Sequence, residues 1–264
     1  MRIARIAHAG GTAHAVLDGD TADLVADPFA GPSAAGGAAD GAAGRAPVRL
    51  GRRLPLAEVR LLAPVEPRTV VGMAHNTGPA DRALSPQAFL KAARSVIGPD
   101  EPVHLPDGIG RVDAEAELAV VLAASPAGHT PDTVLRTVFG WTVANDITAR
   151  DLQRSDPLWT SAKGRPGFTP IGPWIETGLP APDDTEVALA LDGVPLRPAS
   201  TGGLARSIAE TLCYVGELLP LGPGDVVLTG APGEYGPLVP GGRADATVAG
   251  IGTLTTPVRA GGPR

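Results

Sequence analysis

The sequence of 264 residues has one cysteine, Cys213, and two lysines, Lys91 and Lys163. A single cysteine excludes an internal disulfide framework. No apolar run approaches the roughly 20 residues that a membrane-spanning helix needs. The opening MRIARIAHAGG also lacks the long apolar stretch of a signal peptide, so a soluble, cytoplasmic protein is expected. Positive charge is short as well: 22 basic against 28 acidic residues give a formal net charge of -6. No basic cluster offers phosphate contacts, which argues against a nucleic-acid partner and for a small-molecule one. Arginine supplies every basic residue other than the two lysines. A lysine that persists against such a bias is a candidate for chemistry that arginine cannot do, because an ammonium shifts its pKa and moves a proton more readily.

What is abundant is turn-forming residue types and short apolar runs. The chain has 35 glycines, 28 prolines and 43% hydrophobic residues, enough to bury a sizeable core between many short turns. Residues 1 to about 30 alternate as short strands around a Gly-Asp turn, and 31 to 47 form a Gly/Ala-rich loop without periodicity. A main domain is expected from 62, giving units of 1–61 and 62–264. Strands are read at 114–123, 140–147, 171–176, 186–191, 225–230 and 246–249. Helical segments are read near 86–94, 131–138, 147–154 and 204–219. The fold class is therefore strand-rich α+β with short peripheral helices.

The stretch DAEAELAVVL, residues 113–122, carries the first chemical signal. Alternation along a strand sends Glu115 and Glu117 to one face, about 6.5 to 7 Å apart. The following LAVVLAA is apolar on both faces, as in a strand buried on both sides. Carboxylates at the edge of such a core call for positive charge between them. A second acidic position, Asp146, ends the apolar strand of WTVANDITARDLQ, and Arg150 and Gln153 follow three residues apart on one face of a turn or helix. Glu115, Glu117 and Asp146 would make three hard oxygen donors, suited to Mg²⁺, Mn²⁺ or Ca²⁺. On spacing alone, carboxylates at strand ends are equally served by arginine or solvent.

Five ordered stretches resemble the fumarylacetoacetate hydrolase family. DAEAELAVVL is similar to its E-x-E strand, and GWTVANDITARDLQ to its N-D-x-x-x-R-x-x-Q segment. SAKGRPGFTPIGPWI resembles the lysine-bearing loop before P-x-G-P-W, GELLPLGPGDVVLTGAPGEYG resembles L-x-P-G-D-x-x-x-T-G-T-P-x-G, and GIGTLTTPV closes the chain. The resemblance implies a mixed β-sandwich roll preceded by a small N-terminal β domain, and a homodimer. It implies metal ligands at Glu115, Glu117 and Asp146 and substrate contacts from Arg150, Gln153, Lys163 and Thr229. The reaction it implies is hydrolysis of a carbon-carbon bond in a 2-oxo acid or 1,3-dicarbonyl compound through a metal-stabilised enolate, with Lys163 holding a carboxylate or returning a proton.

The resemblance breaks after the strand near residue 70. Relatives carry G-x-N-Y-x-x-H-A-x-x-E there, whose His and Glu activate water; this chain has GMAHNTGPAD, with Gly78 at the histidine position and Asp81, one residue before the glutamate position, in the glutamate's place. His75 is the candidate substitute, with a backbone-bonded turn residue as the other reading. Ala231 replaces the threonine of G-T-P, and PGGR at 240–243 replaces P-G-D. A lyase or isomerase that needs no activated water (decarboxylase, tautomerase, dehydratase or cyclase) is therefore the alternative to hydrolysis. A catalytically inactive binding or scaffold protein is a further one, though it has no reason to keep three mutually repelling carboxylates. Cys213 reads as core, Asp113 as a pairing residue, His104 as a loop residue, the three tryptophans as packing or pocket wall, and Lys91 as solvated or lid-anchoring.

Overall fold

A computed structural model describes residues 1–30 and 47–261. The Gly/Ala-rich loop expected over 31–47 lies outside them except for Pro47. Among the described residues the strands form a 12-stranded, a 6-stranded and a 3-stranded sheet. Three short α-helices accompany them: α1 (Arg150–Ser155), α2 (Thr160–Lys163) and α3 (Ile208–Leu218). The strand-rich α+β class is the observed one, and no described helix is long and apolar enough to cross a membrane.

The large sheet runs Arg49–Pro55, Thr21–Val25, Gly11–Asp18, Arg2–His8, Thr169–Glu176, Val138–Asn145, Ala116–Leu122, Val226–Leu228, Val70–Ala74 and Gln87–Lys91 in spatial order. Its N-terminal strands join the rest edge to edge, with Arg2 opposite Glu176 and Ile3 opposite Ile175. Strand Ala116–Leu122 sits near the middle and is buried throughout. Leu118, Val120 and Leu122 pack in one cluster with Leu189, Ala246, Val248 and Leu254 of the six-stranded sheet. Its alternate residues Ala119 and Val121 join Ile3, Val70, Ile171 and Val226 in a second cluster. Burial on both faces explains the unbroken apolar run; each fully buried Leu or Ile stabilises by about 1.5–3 kcal/mol.

Registers bring four chain ends together. Ala116 lies opposite Asn145 and Ala119 opposite Leu228, while Val226–Leu228 runs parallel to Val70–Gly72. The start of strand Ala116–Leu122 and the ends of Val138–Asn145, Val226–Leu228 and Val70–Ala74 therefore share one end of the sheet. Loops leaving that end carry the site.

Some local expectations need correction. Residues 86–94 form no α-helix: Gln87–Lys91 is a strand antiparallel to Val70–Ala74, followed by a 3₁₀ turn at Ala93–Ser95. Pairing at the sheet edge overrides the helix-like spacing of AFLKAARSV. Residues 131–138 form only a 3₁₀ turn at Val134–Thr137 before the next strand. The helix read at 204–219 is α3, which begins at a capping box between Ser207 and Glu210.

Candidate active site

The shared sheet end encloses a cavity of about 330 Å³ lined by Met73, His75, Thr77, Asp81, Phe89, Glu115, Glu117, Asp146, Arg150, Gln153, Trp159, Lys163 and Ala231. Seven of the residues singled out in the sequence thus meet in one place: Glu115, Glu117, Asp146, Arg150, Gln153, Lys163 and His75. Thr229 does not line it. Its side chain is fully buried and its hydroxyl donates to the Leu118 carbonyl at 2.8 Å, so the expected substrate contact is replaced by a bond that ties two neighbouring strands.

The acidic wall is built by backbone ties between strand ends. Asp146 N–H donates to the Glu115 carbonyl at 2.8 Å, and Glu115 N–H donates to Asn145 Oδ1 at 3.0 Å. Positive charge fills the space between the carboxylates, as their repulsion requires. Lys163, at the end of α2, bonds Asp146 Oδ2 and Glu115 Oε2, and Arg150 NH2 pairs with Glu115 Oε1 at 3.0 Å. Trp159, in left-handed conformation (φ 58°), caps the start of α2 and turns the chain so that Lys163 points inward. Lys163 Nζ also lies 4.4 Å from the centre of the Phe89 ring.

Lys91 corrects a sequence reading. It is not solvated: with 3% exposure, its ammonium donates to Asp146 Oδ1 at 2.5 Å and to the Ile147 carbonyl at 3.3 Å. Both lysines of the protein therefore converge on one carboxylate. Burial opposes ionisation of Asp146, yet Lys163 and Lys91 hold its pKa below the ordinary carboxylate range. Burial lowers that of Lys91, whereas Asp146 and Glu115 outweigh burial and raise that of Lys163.

Glu117 stands apart. Its carboxylate accepts the Gly230 N–H at 2.6 Å, and among the described residues it makes no ion pair. Burial, then the charges of Asp146 and Glu115, push its pKa well above the usual value. A buried carboxylate with two acidic neighbours and no cation of its own is under-compensated, and three hard oxygen donors on one wall fit a divalent ion. No group of three acidic, His or Cys side chains that could hold a metal ion converges among the described residues, and the Lys163 ammonium bonds both Glu115 and Asp146.

Arg150 is spent on the protein. Nε donates to Asp113 Oδ2 at 2.8 Å, NH1 to Gln153 Oε1 at 3.0 Å, and the group stacks 4.4 Å from the Tyr235 ring centre. Asp113 also accepts from Arg111 Nε at 2.8 Å, the pairing role read from the sequence. His75 and Asp81 line the same cavity. The His75 ring is 6.2 Å from that of Trp159, which is 5.6 Å from that of Phe89. Burial raises the Asp81 pKa, but the Thr77 N–H and hydroxyl, at 2.9 and 2.8 Å, and the nearby His75 hold it below the ordinary value. Lys91, Phe89 and Thr77 were not singled out as site residues in the sequence, where scarcity of lysine was the one signal pointing to Lys91; Trp159 takes the pocket-wall place read for it. Cys213 is half-buried against the core, and His104 lies in strand Val103–Leu105 outside the cavity wall.

Comparison with known proteins places this architecture. The fumarylacetoacetate hydrolase C-terminal family model matches residues 62–259, and the Rv2993c-like N-terminal model matches 1–64. The chain belongs to the fumarylacetoacetate hydrolase family. It is 38% identical to the Mycobacterium tuberculosis protein Rv2993c, with 98% of each chain covered. Among solved structures it is similar to the 5-carboxymethyl-2-hydroxymuconate delta-isomerase from Mycobacterium smegmatis. The TM-score is 0.89 and the identity 35%, over 98% of this chain and 100% of that one. It also resembles the maleylpyruvate hydrolase from Sphingobium sp. SYK-6, solved with manganese(II) and pyruvate, with TM-score 0.79 and 26% identity over 99% and 100% of the two chains. Family relatives thus include both isomerases and hydrolases.

Proposed function

We propose that this chain is a divalent-metal-dependent enzyme of a small 2-oxo acid or 1,3-dicarbonyl compound, with hydrolysis of a carbon-carbon bond as the first reading. The observation that carries it is one small cavity lined by three buried carboxylates, a buried ammonium, an imidazole and a further carboxylate. Glu115, Glu117 and Asp146 would hold Mg²⁺, Mn²⁺ or Ca²⁺, and the manganese and pyruvate of the Sphingobium relative support that choice. When bound, the ion supplies Lewis acidity to neighbouring carbonyl and enol oxygens.

The chain's own groups divide the proton work. His75 takes a proton from the attacking water. The bond between the attacked carbonyl carbon and its neighbour breaks. The neighbouring carbon, left with the electron pair, takes a proton from Lys163. Gln153 keeps its amide N–H₂ for a substrate carboxylate, while Arg150 fixes the amide's other end. Phe89 and Trp159 exclude bulk water from the reacting atoms. A second reading, isomerisation, is favoured by Gly78 at the position of the family's water-activating histidine. It is also favoured by the likeness to the Mycobacterium smegmatis isomerase. There His75 and Lys163 remove and return a proton at different carbons and no water is consumed. A cytoplasmic homodimer acting on a small molecule remains our proposal for the assembly.

The test is a melting-temperature series with Mg²⁺ or Mn²⁺, with and without oxalate as a planar mimic of an enolate, followed by mass spectrometry of incubated 2-oxo acids and 1,3-dicarbonyls. Ion and oxalate at 100 times their Kd each stabilise by about 2.7 kcal/mol, and oxalate adds its share only with the ion present. Two fragments, one of them a new carboxylic acid, whose masses sum to the substrate plus one water mark hydrolysis; an unchanged formula marks isomerisation. An unmoved midpoint in every arm would remove the metal reading.

A further inference from the structure

The loop after strand Val70–Ala74 brings His75 into the cavity at a cost in backbone conformation. His75 adopts φ 53°, the left-handed region that non-glycine residues avoid. Nothing apolar anchors the segment beyond it, since residues 77–87 include no buried one. Besides the Arg82 bonds to Glu210 and to the Ala205 carbonyl, one side chain from a distant part of the sequence fixes it. Arg206, 6% exposed, donates from NH1 to the His75 carbonyl at 2.9 Å and from NH2 to the Leu84 carbonyl. These two oxygens stand at either end of the segment that carries Thr77 and Asp81.

A second set of bonds secures the same corner. Arg206 N–H donates to Asn76 Oδ1 at 2.7 Å, and Asn76 Nδ2 donates to the carbonyls of Thr229 at 2.7 Å and Arg206 at 3.3 Å. Asn76 is fully buried. Gly230 permits the approach, because a Cβ there would stand 2.1 Å from the Asn76 carbonyl oxygen, and Gly230 N–H bonds Glu117 on the acidic wall. The corner therefore links the loop of His75 to Glu117 of the acidic wall. Among the described residues no carboxylate lies in ion-pair reach of Arg206, so its buried charge is satisfied by carbonyl dipoles alone. Such a placement costs desolvation, and the core gains nothing from it that an apolar side chain could not give.

We infer that Arg206 is a positioning residue: its guanidinium spans the carbonyls of His75 and Leu84 and so holds the His75 imidazole and Asp81 toward the acidic wall. The inference rests on the reading of His75 as the proton-moving group only for its catalytic consequence; the geometric part stands without it.

The test uses the full chain with Arg206→Met and Arg206→Lys. The five histidines are followed by imidazole NMR, assigned with His75→Ala, and amide hydrogen exchange is read over 75–87. In Arg206→Met the His75 ring signals move or broaden, those of His8, His14, His104 and His129 stay, and exchange over 75–84 rises about tenfold or more. Arg206→Lys, which keeps a donor for one carbonyl, falls between, and it carries the test if Arg206→Met does not fold. In the wild type, oxalate added with Mg²⁺ shifts the His75 signals, and in Arg206→Met this response is lost. His75 signals and exchange equal to wild type in a folded variant, with or without a lowered melting temperature, would overturn the inference. Full turnover in His75→Ala would instead overturn the proton-moving role of His75 and leave the Arg206 result to be judged by the NMR alone.

Discussion

At the scale of single residues, the economy of lysine is the most informative feature. Two lysines survive in an arginine-rich chain, and both ammonium groups end on Asp146. An arginine could not replace either without adding bulk and a planar fork to a filled pocket. Lys91→Met, close in length, removes one of the two cations and leaves buried Asp146 with a single partner. Loss of one member of a buried pair costs about 3–5 kcal/mol, so the denaturant midpoint of Lys91→Met falls far more than that of a surface lysine change would allow. An unchanged midpoint would show that Lys91 does not carry the charge of Asp146. The sequence marked Lys91 by rarity but hid its place, because AFLKAARSV has the spacing of a helix with an exposed lysine. Glu115, Glu117, Asp146, Arg150, Gln153 and Lys163 were legible because fixed spacings bound them to ordered motifs. Thr229 was misread for the opposite reason: the motif names the residue type, and only the strand register shows that its hydroxyl reaches the Leu118 carbonyl.

At the scale of elements, the segments read correctly are those whose ends carry their own chemistry. Helix α3 starts where Ser207 accepts from Glu210 N–H and the Glu210 carboxylate accepts from Ser207 N–H, a start signal present in four consecutive residues. Strand Gln87–Lys91 has no such signal, and its backbone partners lie in Val70–Ala74, so local pattern misassigned it. The same Glu210 makes a testable link between α3 and the loop over the cavity, since Arg82 reaches it with NH2 at 2.7 Å. Hydrogen bonds from Arg82, then Ser207, lower its pKa from 4.5 to about 2. A depressed folded-state value means stability present above the unfolded value and lost as pH falls through the folded one. The melting temperature of wild type therefore exceeds that of Glu210→Gln by a constant margin above pH 5, and the margin shrinks between about pH 4.5 and pH 2. Because Glu210 is 39% exposed, salt weakens the effect. A margin that persists unchanged at pH 2 would show that the carboxylate charge contributes nothing.

At the scale of the whole molecule, the resemblance separates a small N-terminal unit from the main domain, whereas the sheet crosses that boundary without a gap. The first strand pairs with Thr169–Glu176 through Arg2 and Ile3. The core crosses too, because Ile3, Val16 and Val25 cluster with Val70, Ala119, Ile171 and Ile175. Sequence could not show this: pairings 172 and 174 positions apart leave no periodic trace in either segment, and the composition change at 31–47 suggests a divide that the sheet ignores. Two units that share a core and a hydrogen-bonded edge should unfold together. Calorimetry is expected to give one transition for the full chain, and Ile3→Ala, 1% exposed in the wild type, to lower the stability of the entire molecule by about 2–5 kcal/mol. The decisive readout is hydrogen exchange in strand Ala116–Leu122, which carries Glu117 of the acidic wall and begins next to Glu115. If Ile3→Ala accelerates exchange there as much as in strand Gly11–Asp18, one cooperative body supports the cavity. If only the N-terminal strands respond, the units fold separately and the site owes its rigidity to residues 62–264 alone.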